Sequence, residues 1–189
     1  MFGNKAVIAA SEVSQKRAMT LLKNDAILPL KDTPKLFVKN INPEIAAQYG
    51  TIVEKPEDAD FAIMHVETPW VAVDTQNPFA LGFHHGDLDF KGEAREEILT
   101  LAKVVPTILV IYLDRPAVIS EINESVAGLL AEFGASDAAI LDVIFGKAAP
   151  EGKLPFELPS SMAAVQKQRT DVPSDSENPL YPFGFGLKY

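Results

Sequence analysis

Residues 107–113, TILVIYL, carry no charge, and most of them are β-branched or aromatic. A short run of this kind reads as a strand buried on both faces. Strands buried on both faces belong to parallel sheets with helices packed on each side. Two more segments have the same character: FAIMHVE at 61–67 and GLLAEF at 128–133. Helical patterns separate and follow them. Ile98, Leu99 and Ala102 give an apolar face to 92–103. Pro116 fits the first turn of PAVISEINE. Ser136 can cap SDAAILDVIFG, with Asp137 favourable in its first turn. Strands alternating with helices predict an α/β chain with a parallel, doubly wound sheet.

The flanking segments are less regular. Residues 5–23 read as one helix, because Ala6, Ala9, Ala10, Val13, Ala18, Leu21 and Leu22 roughly follow a helical stripe. KLFVK at 35–39 reads as the first strand. PEIAAQY follows as a short helix closed by Gly50, and Thr51–Val53 as a second short strand. After Gly146 the pattern changes. KAAPEGKLPFELPSS is proline-rich and holds one short strand, KLPFELP. Residues 163–178 are polar and aperiodic. NPLYPFGFGLKY is aromatic enough to pack back on the body. The expected organisation is therefore a linker and first helix over 1–25, a sandwich domain over 26–162, and a surface excursion with a packed C-terminal segment over 163–189.

Bulk properties exclude several classes. A chain of 189 residues suits one domain with a proper core. A formal net charge of −9 argues against nucleic-acid or anionic-membrane partners, which need basic surface. With no cysteine there are no disulfides, thiolate zinc sites or cysteine nucleophile. No apolar run is long enough to span a membrane. MFGNKAVIAASEVSQKR lacks the apolar core of a signal peptide, and the compartment of the whole protein is left open between cytoplasm, periplasm and exterior.

The chemistry-bearing residues concentrate in one place. Residues 67–90 form a long irregular stretch after the 61–67 strand, holding Trp70, Asp74, His84, His85, Asp87 and Asp89. Ligands of parallel α/β sheets sit beyond the carboxyl ends of strands, and long loops in compact domains tend to be functional. His84-His85 with Asp87 and Asp89 invites a metal reading. Adjacent residues rarely converge on one ion, however, so neither a metal nor a cofactor is expected. Serine hydrolysis lacks its G-x-S-x-G elbow, and no glycine-rich phosphate loop follows a strand. At the end of TILVIYL, Arg115 could pair with Asp114, bind a ligand, or meet another domain.

Three separated segments carry a family resemblance. LLKNDAILPL (21–30) resembles the LLKN-x-x-x-LPL signature that opens the C-terminal domain of family 3 glycoside hydrolases, the β-glucosidase group. FGKAAPEGKLPFELPSS (145–161) resembles that domain's FG-x-x-x-P-x-GKLPF-x-x-P segment, and PLYPFGFGLKY is similar to its closing segment. The helix GASDAAILDVIFG matches as well. The resemblance implies an αβα sandwich with a six-stranded, mostly parallel sheet and one antiparallel strand, a place that KLPFELP would fill. It also implies a preceding (β/α)₈ barrel, as a domain or a separate chain. That barrel carries the nucleophile and most of the pocket for a β-linked sugar. The opening MFGN resembles the end of the barrel or its linker.

A retaining glycosidase needs a nucleophile and an acid/base with carboxyl groups roughly 5 Å apart. In many family members the acid/base glutamate lies on the loop equivalent to 67–90, just before a Gly-Asp pair. Here Gly86-Asp87 is present, but Phe83, His84 and His85 precede it. Glu67 and Asp74 are then the acid/base candidates in this chain, the alternative being an acid/base supplied by the barrel while the loop gives shape and sugar contacts. Trp70, His84, His85 and Asp87 are the candidates for contacting sugar. Each has a bland counterpart. Glu67 could be a surface acid at a strand end, Asp87 a turn residue, and Trp70 a packing residue. The rival functional reading is a non-catalytic carbohydrate-binding or protein-interaction module. A bare barrel-facing surface could also drive self-association into a homo-oligomer.

Overall fold

The computed structural model describes residues 4–77 and 79–189. The first three residues of the MFGN segment lie outside the described residues. Its fourth, Asn4, accepts the Ala6 N–H and caps α1 (Lys5–Ala18). The sheet strands are β1 (Thr20–Asn24), β2 (Lys35–Lys39), β3 (Thr51–Ile52) and β4 (Phe61–Glu67). A two-stranded hairpin follows, β5 (Val71–Ala72) with β6 (His84–His85), before β7 (Thr107–Tyr112) and β8 (Gly128–Glu132) complete the sheet. The helices after α1 are α2 (Pro43–Ala46), α3 (Gly92–Val104), α4 (Ser120–Ser125), α5 (Asp137–Ile144) and α6 (Met162–Lys167).

Six strands form the main sheet in the order β1-β8-β7-β4-β2-β3. β8, β7, β4, β2 and β3 run parallel, and β1 is antiparallel to β8. Strand alternation sends side chains to two separate cores. Ala62, Met64, Leu109, Ile111, Leu129 and Ala131 face one core with Ile98 and Leu101 of α3 and Ile122 of α4. Ile63, Ile108, Val110 and Leu130 face the other with Ala46 of α2 and Ile140, Leu141 and Ile144 of α5. This is the αβα sandwich.

The antiparallel strand is not where the sequence placed it. The helix expected over 5–23 stops at Ala18, and Thr20–Asn24 joins the sheet beside β8. Met19, Thr20, Leu21 and Leu22 are all buried. Four consecutive buried residues suit a strand covered on both faces and not a helix with one apolar stripe. KLPFELP is not a strand of the sheet. Pro155 and Pro159 have no N–H to give to a ladder. The segment instead lies along the closing residues: Leu154 N–H donates to Phe185 O (2.9 Å) and Leu158 N–H to Tyr181 O (2.8 Å). Gly152 passes so close to the turn before β1 that an added Cβ would sit 2.1 Å from Ala18 O. Farther on, Leu187 bridges to Leu21, its N–H donating at 2.8 Å.

A polar cluster ties three elements together on the α5 side. Asp142 of α5 binds Lys16 of α1 at 2.5 Å and accepts the Tyr49 hydroxyl at 2.7 Å. Lys147 lies 3.7 Å above the Tyr49 ring. Burial pushes the Asp142 carboxyl up, but Lys16, the Tyr49 hydroxyl and Lys147 outweigh it and hold it below its ordinary value. Burial, reinforced by Asp142, pushes the Tyr49 hydroxyl well up.

Two outcomes follow from this packing. Leu109→Ala, at a site with no exposed surface, should cost about 2–5 kcal/mol in a denaturant titration. The Asp142 carboxylate is depressed in the folded state, so its stabilisation is complete above about pH 4 and fades as pH falls through the depressed value. Asp142→Asn should therefore lower stability at neutral pH and flatten its decline in acid, measured by unfolding at a series of pH values.

Candidate functional site

β4 and β7 end side by side, with Glu67 opposite Tyr112. The next residue, Thr68, is fully buried; its hydroxyl donates toward Tyr112 O (3.1 Å) and Arg115 O (3.2 Å). The chain thus leaves the sheet pinned to the end of β7. Trp70 follows, and β5 then pairs with β6 in the register Val71↔His85 and Ala72↔His84.

Two residues beyond β7 grip the returning arm of this hairpin. The Asp114 carboxylate is hydrogen-bonded to His84 Nδ1. Arg115 Nη2 donates to Gly86 O at 2.7 Å. Gly86 has a φ of +92°, and an added Cβ would lie 2.8 Å from Val71 Cγ2. Glycine is therefore required both by conformation and by space. Past the hairpin, Val118 N–H donates to Leu88 O (2.9 Å), which returns the chain to the body.

A cavity of about 550 Å³ opens at this end of the sheet. Glu67, Trp70, Gly86, Asp87, Asp89 and Lys91 contribute to its wall. Trp70 Nε1–H reaches Glu67 Oε2 at 3.4 Å. Lys91 pairs with Asp87 and lies 3.3 Å from Asp89. The Asp87 hydrogen bond leads in raising the Lys91 pKa, keeping the ammonium charged. The wall thus combines apolar side chains and an aromatic ring with carboxylates and one cation, a mixed lining typical of small-molecule sites.

The hairpin tip is different in kind. Asp74 Oδ1 accepts the Gln76 N–H (2.8 Å), and Asn77 Oδ1 accepts the Phe79 N–H (3.0 Å). Phe79 is 88 % exposed, Phe83 65 % and Val73 58 %. The hairpin thus carries exposed large apolar groups among short polar turns.

A model of the glycosyl hydrolase family 3 C-terminal domain matches residues 37–189. The chain belongs to this family. It is 40 % identical over 192 residues to the probable β-glucosidase C of Aspergillus flavus, covering 99 % of this chain and 30 % of that protein. It is 36 % identical to the periplasmic β-glucosidase/β-xylosidase of Dickeya chrysanthemi, covering 93 % of this chain and 27 % of that one. A β-glucosidase structure from Erythrobacter marinus superposes with a TM-score of 0.77 at 19 % identity, covering 98 % of this chain and 35 % of that chain, a likeness of fold. The chain spans about a third of the length of these relatives.

In this family 3 C-terminal domain the six candidates from the sequence divide into groups. Glu67, Trp70 and Asp87 share the cavity. His84 does not line it but stacks on Trp70, with ring centroids 3.9 Å apart and planes 9° from parallel. Asp74 lies at the hairpin tip, away from the cavity wall, and His85 is exposed beside Val71. Asp114 and Arg115 do not pair with each other. Each holds a different atom of the hairpin. Lys91 went unnoticed in the sequence; its spacing of four from Asp87 was the available signal. A second strand-end acid, Glu132, is 1 % exposed and occupied: it accepts His65 Nε2 (3.0 Å) and the N–H groups of Gly134 (2.6 Å) and Ala135 (2.5 Å).

Gly86→Ala tests the hairpin's dependence on that backbone conformation. The strain of a non-glycine residue there, about 1–2 kcal/mol before the clash with Val71 is relieved, should fall on the hairpin. Hydrogen exchange should speed up at His84 and His85 while β4, β7 and β8 keep their protection.

Proposed function

We propose that this domain is the lid of a retaining β-glycosidase, acting on terminal β-linked sugars with a (β/α)₈ barrel that supplies the nucleophile. The observation that carries this reading is the shared cavity of Glu67 and Trp70 at the carboxyl end of the sheet, where the hairpin with its exposed apolar side chains departs. In this arrangement Phe79, Phe83 and Val73 meet the barrel, and the cavity closes over the sugar. Glu67 is the acid/base. Its carboxylate engages only the Trp70 indole N–H among the described side chains, so it is free to exchange a proton with the glycosidic oxygen. Asp74 is the weaker candidate because its carboxylate is already committed to the Gln76 N–H. Trp70 stacks on the sugar, His84 supports it, and Asp87 and His85 reach hydroxyl groups at the rim.

Chemistry then divides between two bodies. The barrel carboxylate attacks the anomeric carbon while Glu67 protonates the departing oxygen. Glu67 next takes a proton from the water that releases the sugar. Neither half completes the cycle alone. This chain by itself should therefore release no aryl alcohol from an aryl β-glucoside, and adding a barrel chain should restore turnover. Clear turnover by the chain alone would sink the reading.

In the full-length enzyme, Glu67→Gln should lower kcat by about 10²–10⁴-fold and abolish the basic limb of its pH–rate profile, whereas Asp74→Asn should leave that limb in place. Unaltered profiles for both variants would favour a non-catalytic carbohydrate-binding or interaction module.

A further inference from the structure

Trp70 is the single tryptophan of the chain, and it sits at the centre of a connected set of side chains. Its indole N–H points to Glu67, and its ring lies against His84. His84 is in turn tied through Nδ1 to Asp114. An ionised carboxylate only accepts hydrogen bonds, so His84 Nδ1–H is the donor.

The backbones of these residues are set independently. Trp70 follows the pinned Thr68, His84 belongs to β6, and Asp114 lies two residues past β7. The backbone pairing of β5 and β6 places the His84 Cα but leaves its ring free to turn about its side-chain bonds. The Asp114 tether removes that freedom. His84 and Asp114 are largely covered, with side chains 27 % and 20 % exposed. Trp70 and Glu67 line the cavity, while His84 and Asp114 do not. A chain of contacts therefore runs from the end of the buried β7 strand to an aromatic surface in the cavity.

An aromatic platform gains most from a ligand when its rotamer is fixed before binding, since immobilising a side chain otherwise offsets the contact. We propose that Asp114, acting through His84, is the positioning residue that holds Trp70 as a sugar-stacking platform. The proposal rests on the reading of the cavity as a sugar site given above. Asp114 touches no substrate in this arrangement. It fixes the imidazole, the imidazole backs the indole, and the free part of the indole meets the sugar.

The single tryptophan makes the clamp directly observable. In the 189-residue chain, Asp114→Ala should release the imidazole from the indole. Trp70 emission and its quenching by acrylamide should both rise, with far-ultraviolet circular dichroism unchanged. Asp114→Asn keeps an acceptor for Nδ1–H and should restore the wild-type spectrum. His84→Ala should reproduce the Asp114→Ala spectrum, and the double variant should add nothing further. An unchanged spectrum in Asp114→Ala, or simple addition of the two effects, overturns the clamp.

In the full-length enzyme Asp114→Ala should raise KM for an aryl β-glucoside about five- to tenfold, the scale of an aromatic stacking contact, with kcat within about twofold and Asp114→Asn near wild type. A spectral change with an unmoved KM overturns the sugar platform while leaving the side-chain clamp. If the wild-type enzyme fails to turn over the glucoside, the lid reading falls, and the proposal of a sugar platform falls with it, whereas the fluorescence result still decides the clamp.

Discussion

The parallel ladder of β4, β7 and β8 is the constraint on which everything else depends. Ile108, Leu109, Val110 and Ile111 of β7 have no exposed surface at all. Their backbone groups are satisfied only by the strands on either side, and their side chains only by cover on both faces. That requirement places α3 and α4 on one face and α5 on the other, and it draws the closing residues onto the first. It also aligns the carboxyl ends of neighbouring strands. Loops leaving β4 and β7 emerge next to each other, and one can hold the other.

The site uses that adjacency. A hairpin of two-residue strands has little stability of its own. Here Thr68, Asp114 and Arg115 fasten it to the end of a strand that cannot move without disrupting the core. Rigidity is exported from the sheet to the cavity by the polar contacts of these three side chains. The tip, beyond their reach, keeps only local turns and carries the exposed phenylalanines.

What could be read from the sequence follows the range of the interactions involved. TILVIYL, FAIMHVE and GLLAEF were legible because strands covered on both faces need short runs that are apolar at most positions. The segment at 20–24 was not, because Leu21 and Leu22 continue the stripe of α1. Its strand state comes from pairing with β8, more than a hundred residues away. KLPFELP has the alternation of a strand, but its prolines divert its hydrogen bonds to the closing segment. That Glu67, Trp70 and Asp87 lie at or beyond the end of β4 was legible; that the three share one cavity is a matter of how the hairpin folds back. The Asp114–His84 contact was not, since it joins residues thirty apart whose meeting depends on how a hairpin folds back over β7. The family resemblance was legible because its segments lie in short stretches kept in order along the chain.

The two margins of the sheet have a further consequence. On one side β3 contributes only Thr51 and Ile52. On the other, β1 is met by Leu187, which takes up the Leu21 carbonyl. Neither margin offers a long row of free peptide groups to a foreign strand. Growth by strand addition is thus closed off laterally, and what the fold leaves exposed beyond the carboxyl ends of β4 and β7 is a surface of side chains and not of peptide groups.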